Sequence, residues 1–173
     1  MTNPITPDLV YHIKTAGDPV LSPDGTLLAY TLGWVDARTL ESRSRIMLLA
    51  LGAGSCREFT GGEKDSAARF SPDGRRLSFL RSDGGGPAQV WAMESDGGEA
   101  RQLTHAPKGV FDYGWSPDGK RLVVCADVDP EDGGATAGPE SVPRVTVVRR
   151  VRYRYDTLGW RGDSHFHLSV LDL

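Results

Sequence analysis

A surplus of positive charge, a long apolar run and a cysteine framework are all missing from this 173-residue sequence. Its 20 Lys and Arg face 23 Asp and Glu for a formal net charge of -3. That leaves no global positive field of the kind that holds nucleic acid, so no nucleic-acid partner is expected. The longest strongly apolar run, Ile46 to Leu51, falls far short of the ~20 residues of a membrane helix, and no membrane partner is expected either. The opening Met1 to Pro7 has neither a basic start nor an apolar core, so it does not read as a secretory signal, and a cytoplasmic protein is the expectation. Two cysteines, Cys56 and Cys125, make no disulfide framework and read as free thiols. A G-x-S-x-G nucleophile elbow is also lacking. The nearest string, Gly114-Trp115-Ser116-Pro117-Asp118, has Asp where the second glycine must stand, so Ser116 reads as a turn residue and no catalytic residue is expected in this chain.

What the sequence does have is a repeat. Ser-Pro-Asp-Gly occurs at Ser22 to Gly25, Ser71 to Gly74 and Ser116 to Gly119, spaced 49 and 45 residues apart. An apolar residue precedes each copy (Leu21, Phe70, Trp115), and a short apolar run beginning at Leu27, Leu77 or Leu122 follows it. Proline presets φ at the second turn position, Ser and Asp bond nearby amides, and Gly relieves crowding as the next strand begins. Each copy therefore predicts a β-hairpin. Third-strand patterns follow at Arg45 to Leu51 and Gln89 to Met93, and closing segments at Cys56 to Thr60 and Ala100 to Thr104. Four strands recurring at about 40–50 residues is the period of propeller blades. The fold class is accordingly all-β: a partial β-propeller of four-stranded antiparallel blades, with a short N-terminal helix. In that helix Thr6 caps, Pro7 opens, Leu9, Val10 and Ile13 form the apolar face, and Gly17 ends it. The predicted division is residues 1–17 for the helical segment and 18–173 for the blades, at about 18–65, 66–110 and 111–173.

The third unit is longer than the others. From the turn serine to the third strand runs 24 residues in the first unit (Ser22 to Ile46), 19 in the second (Ser71 to Val90) and 52 in the third (Ser116 to Leu168). Insertions in repeat proteins map to loops on one face, often the binding face. This one, about 127–164, begins with the Gly-, Pro- and acid-rich stretch Asp127 to Val142. It continues as a two-faced strand from Arg144 to Tyr155, with Arg150, Arg152 and Arg154 on its basic face. A solvated face whose arginines pair with nearby carboxylates is the plainer reading of that run. Guanidinium forks also suit carboxylates, so these three arginines are the candidate substrate-gate or interdomain contacts.

Metal chemistry is poorly provided for. The acidic string from Asp127 to Gly133 superficially fits a calcium loop, but Asp132 and Gly138 stand where Gly and Glu are needed. His165 and His167 share a strand face without a Cys, Asp or Glu at ligand spacing, and read as structural or exposed. No metal and no cofactor is expected. Trp34, Trp91, Trp115 and Trp160 are spread over different units, which suits blade packing rather than a stacking platform.

Taken together, several segments resemble the N-terminal propeller of serine peptidases of the prolyl oligopeptidase family, in its acylaminoacyl-peptidase and dipeptidyl-peptidase-like branch. They are Gly17 to Gly25, Phe70 to Gly74, Trp115 to Gly119, the blade ending Gly97 to Thr104, Arg149 to Asp156, Gly159 to Gly162 and His165 to Leu168. The resemblance implies that the parent protein carries a C-terminal α/β-hydrolase domain with the Ser-Asp-His triad, and that the active site lies in a cavity between the two. It further implies release of acylated or small N-terminal units from short peptides, with the propeller excluding folded proteins. This chain then reads as a piece of such an enzyme. Its partners are the remainder of its own polypeptide and short peptide substrates, and exposed blade faces would favour a homo-oligomer. The alternative is a non-catalytic β-propeller module that presents an interaction surface.

Overall fold

The computed structural model describes residues 5–128 and 164–173, together with the backbone of 154–155 and 159–160. It is almost entirely antiparallel β. The first sheet contains β1 (Lys14–Leu21), β2 (Leu27–Val35), β3 (Ser42–Ala50) and β4 (Ser55–Glu58), side by side in chain order. The second repeats that order with β5 (Asp65–Phe70), β6 (Arg76–Arg81), β7 (Gln89–Glu94) and β8 (Arg101–Gln102). A third sheet pairs β9 (Val110–Trp115) with β10 (Arg121–Val128), and β10 in turn with the much later β13 (His165–Asp172). Between them a short hairpin joins β11 (Arg154–Tyr155) to β12 (Gly159–Trp160). The strand predicted over Arg144 to Tyr155 otherwise falls outside the described residues.

Each Ser-Pro-Asp-Gly segment connects the first two strands of its sheet through one repeated bond set. The glycine amide donates to the serine carbonyl at 2.9 Å in all three copies, with the glycine φ at +71°, +71° and +67°. Each serine hydroxyl donates to the neighbouring aspartate, at 2.6 Å for Asp24 and Asp73 and 2.5 Å for Asp118. The same hydroxyl accepts the amide five residues on, from Leu27, Arg76 or Arg121. Those bonds hold the three carboxyls below the ordinary aspartate value of 3.8, the serine hydroxyl being the largest cause. The turns also meet one another: a Cβ on Gly74 would lie 3.4 Å from Pro23, and one on Gly119 would lie 3.6 Å from Pro72. The proline of one turn thus packs on the glycine of the next.

Alternation along the strands fills the space between sheets. Ile46, Leu48, Phe70, Leu77 and Phe79 close the first sheet on the second. Leu80, Val90, Val110, Leu122 and Val124 close the second on the third. At about 1.5–3 kcal/mol per fully buried large apolar side chain, these two seams dominate the packing energy. Polar latches add to both. Asp65, fully buried, takes a two-pronged bond from Arg81 at 2.7 and 2.8 Å and accepts the Gly62 amide of the connector between the first two sheets. Across the second seam Tyr113 Oη donates to the Ala67 carbonyl at 2.8 Å, and Trp115 Nε1 donates to Ser78 Oγ at 2.8 Å.

The N-terminal helix differs from its prediction. Pro7–His12 is a single 3₁₀ segment, closed by Leu9 N to Thr6 O at 3.0 Å and Ile13 N to Val10 O at 3.4 Å. Thr6 makes no side-chain cap bond. Leu9, Val10 and Ile13 form no buried face and remain exposed, and Gly17 lies within β1 opposite Thr31 rather than at a helix end. The physical reason is competition: a one-turn helix gains little by itself, whereas pairing Lys14 to Leu21 along β2 satisfies a full row of backbone groups.

Candidate functional site

Topology gives the molecule two unlike faces. One carries the three Ser-Pro-Asp-Gly turns. The other collects the starts of β1, β5 and β9, the ends of β2, β6 and β10, and the beginning of β13, because each hairpin reverses the chain. The insertion leaves from Val128 and returns at Ser164, so it springs from this second face. Ser164 Oγ donates to Asp127 Oδ2 at 3.1 Å and ties the base of the insertion together.

A groove of about 860 Å³ opens on the same face, along the junction of the first and second sheets. It exists because the strand ends there carry small side chains, Gly33 and Ser44 on the first sheet and Ser66 and Ser82 on the second, where the seam below has Ile46 and Phe79. Val10, Ile13, Val35 and Leu80 supply apolar lining. Arg43 forms ion pairs with Glu63 and, at 3.6 Å, with Glu41; Lys64 reaches Glu41 at 3.8 Å. The β2–β3 hairpin beside it is fixed by Asp36, whose Oδ1 accepts the amides of Arg38 at 2.9 Å and Thr39 at 3.0 Å. Those bonds hold the Asp36 carboxyl below its ordinary value.

Of the residues the sequence singled out, Arg150 and Arg152 fall outside the described residues. Arg154 opens β11 with its backbone opposite Trp160. Ser116 is bonded into its turn. His165 and His167 sit on β13 opposite Val128 and Ala126, and both are exposed. Among the described residues no group of three His, Cys, Asp or Glu side chains is placed to hold a metal ion. Both thiols are free, with Cys56 Sγ 3.4 Å from Tyr30 Oη. The groove escaped sequence reasoning; its only trace there is a cluster of Gly and Ser at positions aligned on strand ends.

Consecutive four-stranded antiparallel sheets, stacked face to face through repeated turns, define a portion of a β-propeller. No family model matches the chain. It is 40% identical over 121 residues, 69% of its length, to the uncharacterized peptidase YuxL of Bacillus subtilis, and 26% identical over 125 residues to dipeptidyl-peptidase 5 of Porphyromonas endodontalis. In both cases it spans 18% of the relative's own length. A shorter match, 35% over 74 residues, is to a Tol-Pal system protein TolB of Novosphingobium aromaticivorans. Among solved structures, the acylaminoacyl peptidase of Pyrococcus horikoshii matches 95% of this chain at a TM-score of 0.76 and 22% identity, with 24% of that protein covered. The β-propeller domain of the trilobed protease from Pyrococcus furiosus matches 65% of the chain, and 33% of that domain's chain, at 0.54 and 21% identity. TolB aside, these relatives and structural neighbours are peptidases of the acylaminoacyl, dipeptidyl and prolyl oligopeptidase kind, met over the chain's propeller region.

Proposed function

We propose that this chain is the substrate-gating wall of a serine peptidase that releases acylated or small N-terminal units from short peptides. In this reading an α/β-hydrolase domain of the parent polypeptide supplies the nucleophile, its histidine base and the oxyanion hole. The propeller supplies exclusion: a rigid ring over the active site admits an extended peptide and rejects a folded protein, so size selection comes from geometry. The observation that carries the reading is the 40% identity to a peptidase over 121 residues, 69% of the chain. The insertion and the groove on one face support the same view, since a wall needs one functional side. Arg150, Arg152 and Arg154 would then meet the hydrolase domain or a substrate carboxylate.

The match to a Tol-Pal system protein, whose name is not that of a peptidase, supports a second reading, in which this propeller only binds partners. Two tests separate them. The reading frame downstream of Leu173 should encode a G-x-S-x-G elbow followed by Asp and His. The full-length protein should hydrolyse N-acylated di- and tripeptides and react with a fluorophosphonate at that elbow serine. An intact full-length protein with neither property overturns the proposal and leaves the binding module.

A further inference from the structure

We infer that the groove between the first and second sheets is a main-chain binding site for an extended, uncharged segment of a short peptide. The inference rests on the gating reading above for its occupant and on the groove's own chemistry for its selectivity. About 860 Å³ lies within the range of small-ligand sites. Its lining combines hydroxyls, apolar side chains and a balanced set of charges.

The hydroxyls carry the argument. Among the described residues, those of Ser42, Ser44, Ser66 and Ser82 have no protein partner, although all four line the groove. Thr15 Oγ1 reaches only the Gly33 carbonyl, at 3.5 Å. Other small hydroxyl residues are committed, Ser22, Ser71 and Ser116 to their turns, Ser78 to the Arg69 carbonyl, and Thr60 and Thr104 to the amides of Ile46 and Val90, and the buried Thr31 Oγ1, which has no partner, lies outside the groove lining. Each serine hydroxyl both donates and accepts, so the four can pair with either the N–H or the C=O groups of an extended peptide whatever its sequence. Between them Val35, Leu80 and Ile13 give apolar contact for side chains.

Charge narrows the class further. Arg43 and Lys64 are each matched by a carboxylate, Arg43 by Glu63 and Glu41, and Lys64 by Glu41. A free terminal carboxylate or ammonium brought into the groove would compete with these pairs, whereas a blocked segment leaves them intact. The preferred occupant is therefore the interior or the acylated end of a peptide.

The test is titration of the ¹⁵N-labelled 173-residue chain with N-acetyl-Ala-Ala-Ala-amide, with free tri-alanine and maltotriose as comparators. Saturable shifts are expected at the amides of Gly33, Ser44, Ser66 and Ser82, weaker by several-fold for tri-alanine. The variant carrying Ser42→Ala, Ser44→Ala, Ser66→Ala and Ser82→Ala should bind at least tenfold more weakly with its other resonances in place. Should that variant unfold, Ser82→Leu, which fills the groove from its rim, should abolish the same shifts. Shifts that gather on β13, that fail to saturate, or that maltotriose matches in the same groove overturn the inference. The two levels fail separately. If the full-length protein cleaves acylated peptides and Ser82→Leu leaves KM unchanged, the groove assignment falls and the gating reading stands. If the peptide saturates the groove but the full-length protein has no peptidase activity, the gating reading falls and the groove assignment stands.

Discussion

The first two sheets and the third start from the same turn and end differently. In the first sheet the amide of Ile46 on β3 donates to Thr60 Oγ1 at 3.0 Å, and in the second the amide of Val90 on β7 donates to Thr104 Oγ1 at 2.9 Å. Each of these threonines lies just past its sheet's fourth strand. The position aligned with Ile46 and Val90 in the third sheet is Leu168, which pairs with Cys125 as they pair with Thr31 and Leu80. Ile46 and Val90 are fully buried, while Leu168 is 76% exposed. Val170 and Phe111 are also mostly exposed, and the Phe111 and Phe166 rings lie 4.9 Å apart at the border of this surface. A blade's inner turn can form from local chemistry alone. Burial of its faces depends on what lies on either side.

That contrast yields a graded set of expectations. The largest effects belong to the first seam. Arg81→Met would strand the buried Asp65 carboxylate and should cost about 3–5 kcal/mol in urea unfolding; Phe79→Ala, which empties the centre of the same seam, should cost about as much. The second seam should yield less per contact: Trp115→Phe removes one donor to Ser78 Oγ, which keeps its bond to the Arg69 carbonyl, and should cost about 1–2 kcal/mol. On the open third sheet, Leu168→Ser should change stability by no more than about 0.5 kcal/mol. It should instead reduce the self-association expected of an exposed apolar strand, measured by sedimentation. A cost for Leu168→Ser as large as that for Phe79→Ala would erase the distinction between the sheets.

The smallest effect is electrostatic and common to all three units. Asp24, Asp73 and Asp118 have folded values below their unfolded ones, so their contribution to stability is complete above about pH 4 and lost as pH falls through the depressed values. Joint Ser22→Ala, Ser71→Ala and Ser116→Ala substitution removes the main cause of the depression and should flatten the acid limb of stability against pH. An unchanged acid limb would show that the hydroxyls do not set these values.

Local features were legible in the sequence and distant ones were not. The three hairpins follow from four residues each, and the third strand of the last sheet is placed by Leu168, 52 residues after Ser116. The N-terminal segment differs from its local signals for a related reason. Thr6 and Pro7 are helix-start signals, but Lys14 to Leu21 gain more by pairing with Leu28 to Trp34, which no local pattern announces. The Asp65–Arg81 clamp joins residues 16 apart through a fold that must already exist, and Gly62 is required there because a Cβ would lie 2.4 Å from Asp65 Oδ1. The groove is less legible still. Its serines are unremarkable singly and acquire meaning only when two sheets set them face to face.

On the proposed gating role, this propeller portion selects substrates by size for a catalytic domain elsewhere in the same polypeptide. The most direct measurement is turnover by the full-length protein of one acylated sequence presented two ways, as a free short peptide and as the N-terminus of a stably folded protein. Release of the acylated unit from the free peptide and none from the folded protein is expected. Equal cleavage of both, or cleavage of neither by an intact full-length protein, would contradict it.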